Sequence, residues 1–148
     1  MEVEGLNVEF KRKYTDNIKK TVVAFANTNG GTIYIGYEDN GTVVGVENGD
    51  DTILKVTNSI RDCIKPDVVL FTTCKIKIID SKKIITVKVQ KGTACPYYLS
   101  NKGIRPEGVY IRQGASSVPA TKSTIIKMIK ETDGNNYEDL RSLKQQLD

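Results

Sequence analysis

The chain has 148 residues, 39% apolar and 27% charged, which suits one globular domain and excludes wholesale disorder and fibrous repeats. No apolar run is long enough to span a bilayer, and the Met-Glu-Val-Glu start lacks the basic and apolar regions of a signal peptide, so a cytoplasmic, non-membrane protein is expected. The net charge of +4 permits a polyanionic partner, and the lack of any histidine removes the usual general base, the usual zinc ligand and every Ser-His or Cys-His nucleophile.

Leu6, Val8 and Phe10 alternate with Asn7, Glu9 and Lys11, the period of a half-buried strand, and this predicts Glu9 on the side away from the core. After Lys11-Arg12-Lys13, a cap at Thr15 or Asp16 opens a helix with Ile18, Val22, Phe25 and Ala26 on one face, closed by Asn29-Gly30-Gly31. Thr32–Tyr37 and Thr42–Val46 flank Asp39-Asn40-Gly41, which predicts a hairpin. Asp50 or Asp51 caps a second helix that Pro66 stops. Lys75–Ile79 and Ile84–Val89 form a second hairpin about Asp80-Ser81-Lys82, with Lys75, Lys77 and Lys88 falling off the apolar positions onto one lysine-bearing face. Gly108–Arg112 reads as a strand and Ser123–Glu131 as a helix, and a polar tail follows from residue 133. The order predicts an α+β (α/β) single domain, residues 1–132, with two to three helices on a mixed, mostly antiparallel sheet.

The run Asn29-Gly30-Gly31 follows a helix and precedes a strand, the reverse of a phosphate-binding loop, and no Gly-Lys-Ser/Thr occurs in it, so ATPase or helicase chemistry is not expected. Cys63, Cys74 and Cys95 are isolated and read as apolar fillers. Glu4, Glu9 and Asp39 are candidate ligands for Mg²⁺ or Mn²⁺, which prefer oxygen donors and can activate water without histidine; the alternative is solvated surface and a backbone-driven turn. Lys11, Arg12, Lys13, Lys75, Lys77, Lys88, Arg105 and Arg112 are candidate phosphate contacts, against a plain solvated face. Tyr97, Tyr98 and Tyr110 could stack on bases, although Tyr110 alternates into an apolar strand and reads as core.

The blocks Glu4-Gly-Leu-Asn-Val-Glu-Phe-Lys-Arg, Ala24-Phe-Ala-Asn-Thr-Asn-Gly-Gly-Thr-Ile-Tyr-Ile-Gly-Tyr-Glu-Asp, Pro96-Tyr-Tyr-Leu and Gly108-Val-Tyr-Ile-Arg-Gln-Gly-Ala-Ser-Ser, in this order, resemble the Schlafen/AlbA-type DNA-binding domain family over nearly the whole chain. The resemblance implies the N-terminal nucleic-acid-binding domain of a transcriptional regulator, with residues 133–148 beginning a connection to a further region. Animal relatives pair two such domains and some cleave transfer and ribosomal RNA with three metal-binding acids, which fall here on Glu4, Glu9 and Asp39. Three functions are therefore carried forward: binding of DNA or RNA through a basic face, a metal-dependent endoribonuclease acting on structured RNA such as tRNA, and a dimerisation module. A homodimer would replace the paired domains.

Overall fold

The computed structural model describes residues 3–147, with side chains from residue 3 to residue 134. In chain order the elements are β1 (Val8–Lys11), α1 (Ile18–Asn27), β2 (Gly31–Ile35), α2 (Gly49–Cys63), β3 (Ile64–Lys65), a 3-10 turn at Val69–Phe71, β4 (Thr72–Ile79), β5 (Lys82–Val89), β6 (Tyr98–Leu99), β7 (Tyr110–Gln113), β8 (Ser116–Pro119) and α3 (Lys122–Leu147). One four-stranded sheet has the order β1-β2-β5-β4, with β1 parallel to β2 and the other pairs antiparallel; β3 pairs with β6 and β7 with β8. This is the expected α+β domain with a mixed, mostly antiparallel sheet. Among the described residues no helix is long and apolar enough to cross a membrane.

The spacing that predicts α1 also explains its place. Val22, Val23, Ala24, Phe25 and Ala26 are fully buried, because one side of the helix packs on the four-stranded sheet and the other on β6, β7 and β8. Gly30 closes the helix at φ +73°, its N–H donating to Phe25 O at 2.8 Å, and a Cβ there would lie 2.6 Å from Val89 O. Gly31 then starts β2 against the Phe25 ring, so both glycines serve helix closure and close packing. The caps differ from expectation. Asn17 precedes α1 without a side-chain cap bond, and Asn48 caps α2 by accepting from Asp51 N–H at 3.0 Å, while Asp50 and Asp51 fill the first turn, where carboxylates favour the helix dipole.

The second hairpin forms as expected: Asp80 and Ser81, at φ 52° and 64°, make a two-residue turn whose twist matches its strands. The first hairpin is a correction. Its turn exists, with Glu38 N–H donating to Thr42 O at 2.8 Å, but the returning arm forms no strand: it makes the isolated Tyr37–Val43 bridge, and Val44 and Gly45 N–H both donate to Gly36 O, at 2.8 and 2.9 Å. Both edges of β2 are taken, by β1 and β5, so Thr42–Val46 finds no ladder there and Val46 N–H donates to Lys83 O instead. The third helix starts one residue before the expected Ser123 and runs to Leu147; the side chains of the polar tail from residue 135 lie outside the described residues.

Asn27, buried at the end of α1, joins the two layers. Its Nδ2 donates to Tyr97 O and Tyr110 O, both at 2.9 Å, and its Oδ1 accepts from Tyr97 N–H at 2.7 Å. Removing that amide orphans three buried backbone groups. Asn27→Ala should therefore lower the unfolding free energy by about 2–4 kcal/mol in urea denaturation with an unchanged m-value, and a loss below about 0.5 kcal/mol would contradict this role.

Candidate functional site

Cross-strand partners share a face of a sheet, so the register assigns every side chain. Ile33, Val87 and Cys74 lie side by side, as do Ile35, Ile85 and Ile76, on the face covered by α1 and α2. The opposite face carries two parallel rows, Phe10–Tyr34–Thr86–Lys75 and Val8–Thr32–Lys88–Thr73, with Lys77 next to Lys75 along β4. Lys75, Lys77 and Lys88 are exposed, and together with three threonines, Tyr34 and Gln90 they line a concavity of about 550 Å³. None of the lining residues is acidic, and among the described residues none of the three lysines is in an ion pair. Beside the lysines, Tyr34 meets Tyr37 edge-on at 5.5 Å and Phe10 at 5.9 Å, and Tyr37 stacks on Phe10 at 5.2 Å.

The other basic candidates lie elsewhere. Lys11 shares the helix side of β1 with Glu9, and the two line a small hollow with Lys20 and Tyr110. Arg12 pairs with Glu38 at 3.1 Å, while Lys13 lines a separate groove that also holds Glu47 and Asp51. Arg105 is exposed in the turn between β6 and β7, where its carbonyl accepts from Gly108 N–H and Val109 N–H.

Arg112 requires a correction. Its side chain is wholly buried: Nε and Nη2 donate to Gly5 O at 3.1 and 2.8 Å, Nη2 also to Val8 O at 2.9 Å, and Nη1 to Ser117 Oγ at 3.1 Å and Glu9 Oε1 at 3.4 Å. The guanidinium also lies over the Phe25 ring at 5.0 Å. Every edge of the fork is used to clamp residues 5–9 onto β7 and β8, so as placed it holds structure and has no reach to a ligand. Tyr110 is buried in the core as its alternation predicts, while of the two other stacking candidates Tyr97 is buried as well and Tyr98 is partly buried under α3.

The acids divide similarly. Glu9, expected on the outer side, shares its face with Ile33 and is only 9% exposed. The alternation holds but the faces are exchanged, because Phe10 buries itself against Tyr34 and Tyr37 on the open side. Burial pushes the Glu9 carboxyl above its ordinary range, Arg112 pulls it back, and the neighbouring Glu4 carboxyl raises it further. Glu4 Oε1 also accepts from Phe10 N–H at 2.9 Å. Asp39 stands in the exposed turn after β2, and among the described residues no three acidic or cysteine side chains are gathered closely enough to hold a metal ion. With Arg112 against Glu9 and no such gathering of three acids among the described residues, the residues as placed do not fit a three-carboxylate Mg²⁺ or Mn²⁺ centre.

A family model described as Schlafen, AlbA_2 matches residues 4–121. No match is found among curated proteins. The crystal structure of the DIP2311 protein from Corynebacterium diphtheriae is similar with a TM-score of 0.56 at 20% identity, over 78% of this chain and 25% of that one. The solution structure of the N-terminal domain of a RecG-related protein from Nitrosomonas europaea has a TM-score of 0.52 at 24% identity, over 74% of this chain and 78% of that one. At such identities the likeness is one of fold. The chain spans about a quarter of the length of the Corynebacterium structure.

The buried Glu9 gives a signed pH effect. Its folded pKa lies above the ordinary value of 4.5, so through that window the native state binds more protons than the unfolded chain and stability falls as pH rises. Glu9→Gln removes this titration. Urea denaturation at neutral pH and at stepwise lower pH should show the native chain gaining stability relative to Glu9→Gln on acidification, and a pH-independent or opposite difference would contradict the burial of a titrating carboxyl.

Proposed function

The chain belongs to the Schlafen, AlbA_2 family, and from that membership and the placement of its charges we propose that the domain binds nucleic acid through the open face of its four-stranded sheet. Lys75, Lys77 and Lys88 make the phosphate contacts. The observation that carries this reading is a concavity holding three exposed lysines with no carboxylate among its lining residues. Three ammonium groups on one face, without an ion pair among the described residues, repel one another, and a polyanion relieves that repulsion while releasing its own counterions. On a solvated face with no partner, acids interspersed with the lysines would serve solubility better.

Nucleic acid is the polyanion best supported. The family is named for AlbA, and the RecG-related neighbour is named after a DNA helicase. A place at the N-terminus of a longer transcriptional regulator is part of the proposal, since the chain spans only a quarter of one of its structural neighbours. The endoribonuclease reading has less support, because Glu9 is paired with Arg112 and among the described residues no three acidic side chains are gathered closely enough to hold a metal ion. Lys13 and Arg105 lie off the open face and have at most accessory contacts with a long ligand.

Fluorescence anisotropy with a labelled oligonucleotide over a range of salt tests this. Each phosphate contact contributes about 0.7–0.9 to the slope of log affinity against log salt, so the triple variant Lys75→Gln, Lys77→Gln, Lys88→Gln should bind more weakly with a slope smaller by about 2–3. Lys13→Gln should leave the slope nearly unchanged. Equal affinity and slope for the triple variant and the native chain would contradict the proposal.

A further inference from the structure

We infer that the open face takes single-stranded nucleic acid, with an unpaired base against Tyr34 and the flanking phosphates on Lys88 and Lys75. The inference rests on the nucleic-acid reading above and goes beyond it in naming the form of the ligand and its base-contacting residue. Tyr34 lies in the same cross-strand row as Lys75, with Thr86 between them, and diagonally across from Lys88 on the adjacent strand. Strands about 4.8 Å apart put Tyr34 about 10 Å from Lys75 and about 7 Å from Lys88, backbone to backbone, within the reach of two long lysine side chains. An aromatic ring and ammonium groups at that separation in one recess match the two parts of a nucleotide, its flat base and its charged phosphate.

The shape of the recess selects against a duplex. A double helix hides its base faces in the stack and offers only groove edges, which a protruding helix or β-ribbon enters. Here the lysines and Tyr34 line a hollow in a sheet, and its lining residues come from β2, β4, β5 and the residue that follows β5, a concave surface that cannot enter a groove. A rod laid across it touches lysine tips and leaves Tyr34 unused, whereas a single strand can turn a base into it. Ring contacts with Phe10 and Tyr37 hold the Tyr34 ring in one orientation, so little side-chain freedom is lost on stacking.

The hollow also continues. A second depression of about 430 Å³, lined in part by Asn29, Gly30 and Lys91, shares Thr32, Lys88 and Gln90 with the first. From the level of Lys77, which faces Ile84, to Lys91 the trough follows eight residues of β5 and its extension, about 23 Å over seven strand rises. That is a path for several nucleotides, basic at both ends and in the middle, with hydroxyls from Thr32, Thr73 and Thr86 along its floor to meet base edges.

The test compares anisotropy titrations of a labelled oligonucleotide of ~12 nucleotides, a length within single-strand site sizes, with the duplex of the same sequence, for the native chain, Tyr34→Leu and Tyr34→Phe. The single strand should bind at least about tenfold more tightly than the duplex, and Tyr34→Leu should weaken single-strand binding about 5- to 150-fold with an unchanged salt slope, while Tyr34→Phe keeps it. Should Tyr34→Leu fail to fold, photo-crosslinking of a 5-bromouracil oligonucleotide to the native chain reads the same contact, and the crosslinked residue should be Tyr34. Duplex bound as tightly as single strand, a folded Tyr34→Leu of native affinity, or crosslinks only at other residues would overturn the inference and leave nucleic-acid binding standing. Binding of neither form would overturn both.

Discussion

The burial of α1 against one face of a four-stranded sheet constrains everything else in this domain. Strand side chains alternate between two faces, so once Ile33, Ile35, Ile85 and Val87 are committed to α1 and α2, their neighbours Thr32, Tyr34, Thr86 and Lys88 must face the other way. The β4 pairing passes the same parity to Lys75 and Lys77. The lysines therefore gather on one surface as a consequence of core packing, and among the described residues no helix side chain lines the concavity they form. The proposed binding face is the part of the sheet that the core leaves over.

Two buried polar groups lock this arrangement. Asn27 ends α1 by satisfying both backbone groups of Tyr97, just before β6, and the carbonyl of Tyr110 in β7, and Arg112 reaches from β7 to the carbonyls of Gly5, before β1, and Val8, at its start. Each would be expensive to bury alone, and each is affordable because its hydrogen bonds are nearly all made inside the protein. Together they tie the second layer to the start of β1 and to the end of α1. Residues that look like ligand contacts in the sequence, Arg112 and Glu9 above all, thus form the internal fastening of the fold.

How legible this was varies with the physics behind each element. The β4–β5 hairpin, the α1 face and the helix-closing glycines depend on local periodicity and backbone preference, which a sequence displays directly, and the shared face of Lys75, Lys77 and Lys88 follows from the same period. The side of β1 that faces the core does not, because an apolar patch formed by Phe10, Tyr34 and Tyr37 on the open face makes the alternation readable either way. The returning arm of the first hairpin lost its place to competing strands, and strand competition is a tertiary effect. The roles of Asn27 and Arg112 depend on partners more than 65 residues away, beyond any local pattern. Tyr34 was signalled, in hindsight of the register, by the alternation of Thr32 and Tyr34 with Ile33 and Ile35.

The most direct test of the account is to map the bound face residue by residue, by following backbone amide resonances of the isotopically labelled chain as an oligonucleotide is added. The account predicts that perturbations concentrate on Thr32–Tyr34, Thr73–Lys77 and Thr86–Gln90, with Lys11–Lys13 and the turn bearing Arg105 little affected. Perturbations centred on those latter segments, with the open face silent, would contradict it.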